Sequence, residues 1–131
     1  SDGILSAEFG AALALSADDP GRDARVRTAA VRAAESAARL GSSGTALLSE
    51  LRMLREIGNR SLSADLAVAA AALGAGLSGS SINLRANLRT ARAHHASAAE
   101  LAELQVKAAL LAESHRSAAQ ITDGLFAEFE D

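Results

Sequence analysis

Apolar positions recur at steps of three and four along nearly the whole chain, the period of helices, and no strand is predicted. Residues 3–17 hold Leu5, Phe9, Ala12 and Leu13 at helical spacing. That segment stops at Asp18-Asp19-Pro20-Gly21, where Asp19 can cap a second helix with Pro20 at its first position. Residues 20–40 then place Val26, Ala30, Ala33, Ala37 and Leu40 in a narrow apolar stripe. Gly41-Ser42-Ser43-Gly44 predicts a kink or a short loop. Beyond it, Leu47, Leu48, Leu51, Leu54 and Ile57 form the most strongly amphipathic pattern, which Gly58 ends as a C-terminal cap.

A further helix is expected to start at Ser61 or Ser63 as cap, with Asp65 in its first turn facing the positive helix end. The run from Gly74 to Ser81 is rich in glycine and serine and reads as a loop by propensity. The alternative is one long helix whose small residues let another backbone approach, and this is the expectation adopted. His94-His95 and Ser97 mark a break. The last helix is expected over Ala98 to Phe129, with Leu101, Leu104, Ala108, Leu111, His115, Ala118, Thr122 and Leu125 forming a seam with polar interruptions. The predicted fold is therefore all-α: an alanine-rich helical bundle with long helices, one domain over residues 1–131, dimeric.

Composition sharpens this picture. Of the 131 residues 49% are hydrophobic, but most of these are alanine and only Phe9, Phe126 and Phe129 are aromatic. Alanine favours helix yet buries little area, so the core is expected to be thin and to gain from a partner subunit. The net charge of −3, with both signs mixed, argues against a nucleic-acid surface. The arginines of residues 20–40 read as a solvated face, with an anion-binding surface as the alternative. No cysteine is present, which excludes disulfides and thiolate chemistry. The longest apolar run, Leu66 to Leu77, is too short to span a bilayer, and no signal peptide precedes it. A soluble, cytoplasmic protein without membrane contact is expected, beginning at Ser1 through a tag remnant or a cut.

Most chemical motifs are missing. His94 and His95 are adjacent and diverge on a helix, and His115 is remote, so no metal site is expected. The Gly41–Gly44 segment lacks the Lys-Ser/Thr ending of a phosphate loop, and no serine sits in a nucleophile elbow. What remains is Asp65 with Asn83 and Asn87. Asp65 and Asn83 are 18 residues apart, so they share a face of a continuous helix but lie about 27 Å apart along it. One helix cannot bring both to one reacting atom. Two copies crossing antiparallel near Gly74 or Gly76, the midpoints of Asp65 with Asn83 and with Asn87, would bring Asp65 of one copy to the asparagines of the other.

At this stretch the sequence resembles the cyclodeaminase/cyclohydrolase family: the C-terminal domain of formiminotransferase-cyclodeaminase and the methenyltetrahydrofolate cyclohydrolases. The family pattern is met without a gap by Gly58, Asn59, Asp65, Val68 and Ala69, then by Gly79, Asn83, Leu84, Asn87 and Leu88. The segment RDARVRTAAVRAAESAARL is similar to a family helix that follows a Leu-Pro turn, here Asp19-Pro20. The likeness covers roughly residues 2–95. Two positions depart from it: Ala64 replaces a serine and Ala67 a glycine. Nothing matches the family's N-terminal Pro-Gly-Gly-Gly-Ser loop and its helix. The resemblance thus implies a chain that begins inside the second family helix, with the first either removed or naturally absent.

The resemblance implies a dimeric enzyme of one-carbon folate metabolism without metal or redox cofactor, a tetrahydrofolate derivative being its substrate. The reactions are loss of ammonia from 5-formiminotetrahydrofolate to give the 5,10-methenyl form, or hydrolysis of that form. Asp65 is the candidate acid/base, the alternative being plain helix capping. Asn59, Asn83 and Asn87 are the candidate substrate-binding residues; Asn83 and Asn87 serve either the pterin or the helix crossing. The competing function is a non-catalytic helical dimer that keeps the scaffold and has lost the site.

Overall fold

The computed structural model describes residues 2–130, with side chains from Gly3 onward. Four α-helices follow one another: α1 (Asp2–Leu13), α2 (Arg22–Ile57), α3 (Ser63–Ala93) and α4 (Ala98–Phe126). Short 3-10 turns at Arg60–Leu62 and Ala127–Phe129 precede α3 and follow α4. There is no strand among the described residues. Helix α3 packs against both α2 and α4, and α1 lies along α2. The core follows from this order. Leu48 and Leu51 of α2, Leu77, Leu84 and Leu88 of α3, and Leu101, Leu104, Leu111 and Leu125 of α4 are buried among small alanines.

The glycine-serine segment 41–44 is neither a kink nor a loop, because α2 runs through it. Its glycines are notches for neighbouring leucines. A Cβ on Gly41 would stand 2.6 Å from a methyl of Leu111, and one on Gly44 would stand 2.8 Å from a methyl of Leu77. Each glycine costs a helix interior about 1 kcal/mol, and close packing against the next helix offsets it. The polar residues are absorbed by the helix. Ser43 donates to the Arg39 carbonyl, and Thr45 donates to that of Gly41 while sharing a 2.9 Å hydrogen bond with buried Ser114 of α4.

Several boundaries differ from expectation. Helix α1 ends at Leu13 rather than at residue 17. Asp19 does not cap α2: its carboxylate accepts from the Gly21 N–H at 2.8 Å, closing a turn, and α2 starts at Arg22. Neither Ser61 nor Ser63 caps α3. The Asn59 side chain instead accepts from the Ser61 N–H and hydroxyl and starts the 3-10 turn that leads into the helix. In α4 the seam is shifted by one residue at two positions, with Ser114 and Ile121 buried where His115 and Thr122 were expected. The helix ends at Phe126, and a 3-10 turn supplies the last three residues.

Other expectations hold. Gly58 ends α2 in the left-handed region at φ 75°, a conformation glycine adopts without strain. Helix α3 is unbroken through Gly74–Ser81. Ser97 starts α4 with a capping box, in which its hydroxyl accepts from the Glu100 N–H and the Glu100 carboxylate accepts from the Ser97 N–H.

Much apolar surface stays uncovered. On α2, Leu40, Leu47 and Leu54 recur every seventh residue and are exposed, so the stripes read from the sequence are only partly buried. Helix α1 is about 18 Å long against about 54 Å for α2, so it can shield only part of that helix. On α3, Val68 is 70% and Ile82 63% exposed, with Ala69, Ala72, Ala75, Gly76, Gly79 and Ala86 exposed around them. Because α3 is continuous, its apolar span exceeds the Leu66–Leu77 run. By length and composition it could cross a membrane, and only 11% of its most apolar stretch is buried.

Candidate functional site

Asn83 and Asn87 stand one helical turn apart on α3 and both open into a cleft of about 590 Å³ between α1, α2 and α3. Ser80, a turn earlier, joins them. Phe9 and Leu5 of α1 and Leu40 of α2 supply the apolar walls. Neither asparagine side chain makes a hydrogen bond among the described residues. Each therefore retains a carboxamide able to donate and accept toward a planar heterocycle. The cleft is mainly apolar with a few convergent polar groups, the usual constitution of a small-molecule site. Phe9 and Leu40 are legible in the sequence only as apolar helix positions, and Ser80 only as part of the glycine-serine run, none of them as site residues. Ser80 is legible as the residue three before Asn83 on the same face, whereas Phe9 and Leu40 enter only through the packing of α1.

Asp65 lies elsewhere. It is exposed in the first turn of α3 and lines neither this cleft nor the one at the α2–α3 corner. The unbroken helix keeps it about 27 Å from Asn83 along the axis, so the protomer does not unite the carboxylate with the asparagines. The two candidate crossing points are no longer equivalent. Gly74 faces α4, where an added Cβ would meet Ala118 at 3.7 Å, and its carbonyl is 3.3 Å from His115 Nδ1. Gly76 and Gly79 face open space, with nothing within 4 Å of an added Cβ.

Asn59 belongs to a third place, a cleft of about 550 Å³ where the α2–α3 corner meets the end of α4. Its side-chain oxygen is engaged by Ser61. Arg55, Arg60, Leu66, Leu125 and Phe129 share the cleft. No local pattern signals this cleft, because Arg55 and Phe129 are 74 residues apart.

The remaining titratable cluster is structural. Asp23, in the first turn of α2, faces the α3–α4 corner: His94 Nδ1 is 2.6 Å from one carboxylate oxygen and His95 Nε2 3.6 Å from the other. The hydrogen bond with His94 is the main cause holding the Asp23 carboxyl below the usual range, with the charges of His94, His95 and Arg22 adding to it and burial opposing. Arg27 donates to the His94 carbonyl, and His95 takes a left-handed φ of 69° to turn the corner. No group of three or more His, Cys, Asp or Glu side chains able to hold a metal occurs among the described residues.

Among known protein families, the model of formiminotransferase-cyclodeaminase matches residues 5–107. No curated protein and no solved structure gives a match.

Proposed function

The chain belongs to the formiminotransferase-cyclodeaminase family, and from that premise we propose that it acts on a one-carbon tetrahydrofolate as a homodimer, by cyclodeamination of the formimino form or hydrolysis of the methenyl form. One observation carries the reading. Asp65, Gly76, Asn83 and Asn87 lie within about 40° of one another around a single unbroken helix. Gly76, at the midpoint of Asp65 and Asn87, is bare.

A second copy of α3 crossing antiparallel at Gly76 brings Asp65 of one protomer beside Asn87, with Asn83 close by, of the other. The isologous arrangement makes two such sites. In each, the asparagines bind the edge of the pterin, and the apolar walls from α1 and α2 exclude water. Asp65 moves the proton: it protonates the departing nitrogen in the deamination, or takes a proton from the attacking water in the hydrolysis. The crossing helix removes Asp65 from water, the condition under which a carboxylate serves as an acid near neutral pH. The exposed small-residue face of α3 supports this assembly, since small side chains let two helices come close.

The competing reading, a scaffold without catalysis, draws on Asp65 lying outside the asparagine cleft and the α2–α3 corner cleft and on Ala64 and Ala67. Calorimetry with 5-formyltetrahydrofolate, paired with assays of ammonia release and methenyl hydrolysis, separates the two. The wild type is expected to bind and turn over. Asp65→Ala is expected to fold and to lose about a hundredfold or more in turnover, the usual contribution of a general acid. A folded dimer with neither binding nor turnover selects the scaffold.

A further inference from the structure

The cleft at the α2–α3 corner is not used by the chemistry above, yet it has the constitution of a site for an anion attached to an aromatic body. Arg55 lies in the last turn of α2 and Arg60 opens the 3-10 turn, and both line the same cleft. Among the described residues neither guanidinium has a carboxylate within ion-pair distance, whereas Arg32 is paired with Glu8 at 2.6 Å. The Arg55 guanidinium rests over Gly124 of α4, where an added Cβ would stand 2.8 Å from its Nη2. Helix α4 thus lacks a side chain where this cation lies. Leu66, Leu125 and Phe129 form an apolar wall beside the two cations, and Glu128 is the one carboxylate in the lining.

We propose that this cleft holds the benzoylglutamate end of the folate, with the aromatic ring against Phe129 and Leu66 and the glutamate carboxylates on Arg55 and Arg60. The proposal rests on the folate reading and assigns the part of the substrate which the asparagine cleft leaves outside. Guanidinium and carboxylate match in geometry and charge, and an arginine pair can hold both carboxylates of the glutamate. In the antiparallel pair of helices, Arg60 of one copy falls about 8 Å along the axis beyond Asn87 of the other and about 14 Å beyond Asn83. That spacing suits a ligand whose pterin and glutamate ends are separated by a benzoyl ring. Glu128 acts against the anion and limits its affinity.

The test is calorimetric titration of the full chain with three probes: 5-formyltetrahydrofolate, the tail-less 6-methyltetrahydropterin, and p-aminobenzoylglutamate. The wild type is expected to bind p-aminobenzoylglutamate saturably. Arg55→Gln with Arg60→Gln is expected to weaken both glutamate-bearing probes by about tenfold or more, as loss of charge-assisted hydrogen bonds does, and to leave the pterin unchanged. Glu128→Gln tightens the glutamate-bearing probes. Gly124→Ala, which only asks the end of the Arg55 side chain to move, weakens them with the fold intact by circular dichroism. Wild type that binds the folate and the pterin, with the arginine variants indifferent, overturns the tail assignment and leaves the folate reading standing. Wild type that binds none of the probes overturns both.

Discussion

Replacing Gly76 with leucine separates the protomer from the assembly. In the protomer nothing lies within 4 Å of a Cβ at this position, and the residue is in the interior of α3. The substitution there relieves the helix of a glycine and should stabilise it by about 0.6–0.8 kcal/mol, the gap between glycine and leucine in helix propensity. In a chain of 131 residues that is a rise of a few degrees in Tm. If a second α3 crosses at Gly76, the leucine instead holds the two backbones apart, and the dimer loses contacts on both sides of the crossing at once because the interface is isologous. The expected result is dissociation at micromolar concentration by sedimentation. A Tm that depends on concentration in the wild type should become independent of it in the variant. A variant that is more stable than wild type and sediments as an unchanged dimer would refute the crossing at Gly76, and a wild type that is monomeric at all concentrations would refute the dimer.

Other substitutions test the fold. Gly41→Ala gains about 1 kcal/mol of helix propensity, but its Cβ meets both methyls of buried Leu111 at 2.6–2.7 Å; overpacking of about 1–3 kcal/mol should win, and a variant more stable than wild type in urea would show that Leu111 moves freely. Ser97→Ala removes one half of the capping box of α4 and should cost about 1 kcal/mol, read from the urea midpoint; no change there would mean that Glu100 alone secures the helix end. Asp23 has a folded pKa below its unfolded value, so its contribution is present above about pH 4, the unfolded pKa, and is lost as pH falls through the lower, folded one. Asp23→Asn should therefore flatten the acid limb of the stability profile below about pH 4, and profiles parallel to wild type in that range would show that the His94 contact does not act in solution.

How far the sequence could be read depends on which contacts are local. Gly58, the break at His94-His95 and the helix start after Ser97 act within a few residues of themselves, and each is found where the sequence predicted it. The segment 41–44 misled because propensity weighs a glycine by its own backbone alone. What keeps α2 helical there is Leu111 and Leu77, 70 and 33 residues further on from Gly41 and Gly44 respectively. The same long-range packing shifts the α4 seam. Ser114 is buried because Thr45 waits opposite with a hydroxyl, and a hydrophobic pattern has no term for that partner. Asn83 and Asn87 were legible as a pair because four residues make one turn of any helix, whereas the Phe9 wall of their cleft depends on how α1 folds back.

The glycines of α3 are the feature that the proposed assembly would explain. A glycine inside a helix costs stability unless something approaches it closely. Gly74 has that reason within the protomer, since α4 reaches it through Ala118 and His115. Gly76 and Gly79 have none there, and they lie on the face that also carries exposed Val68, Ala72 and Ile82. A monomer would be more stable with alanine at both positions and gains nothing from an apolar surface around them. Both features acquire a physical cause when a second helix crosses at that point. In the proposed dimer, that crossing would also place the carboxylate of Asp65 at the asparagines of the other copy, so that the stability of the pair and the completeness of the site would depend on the same contact.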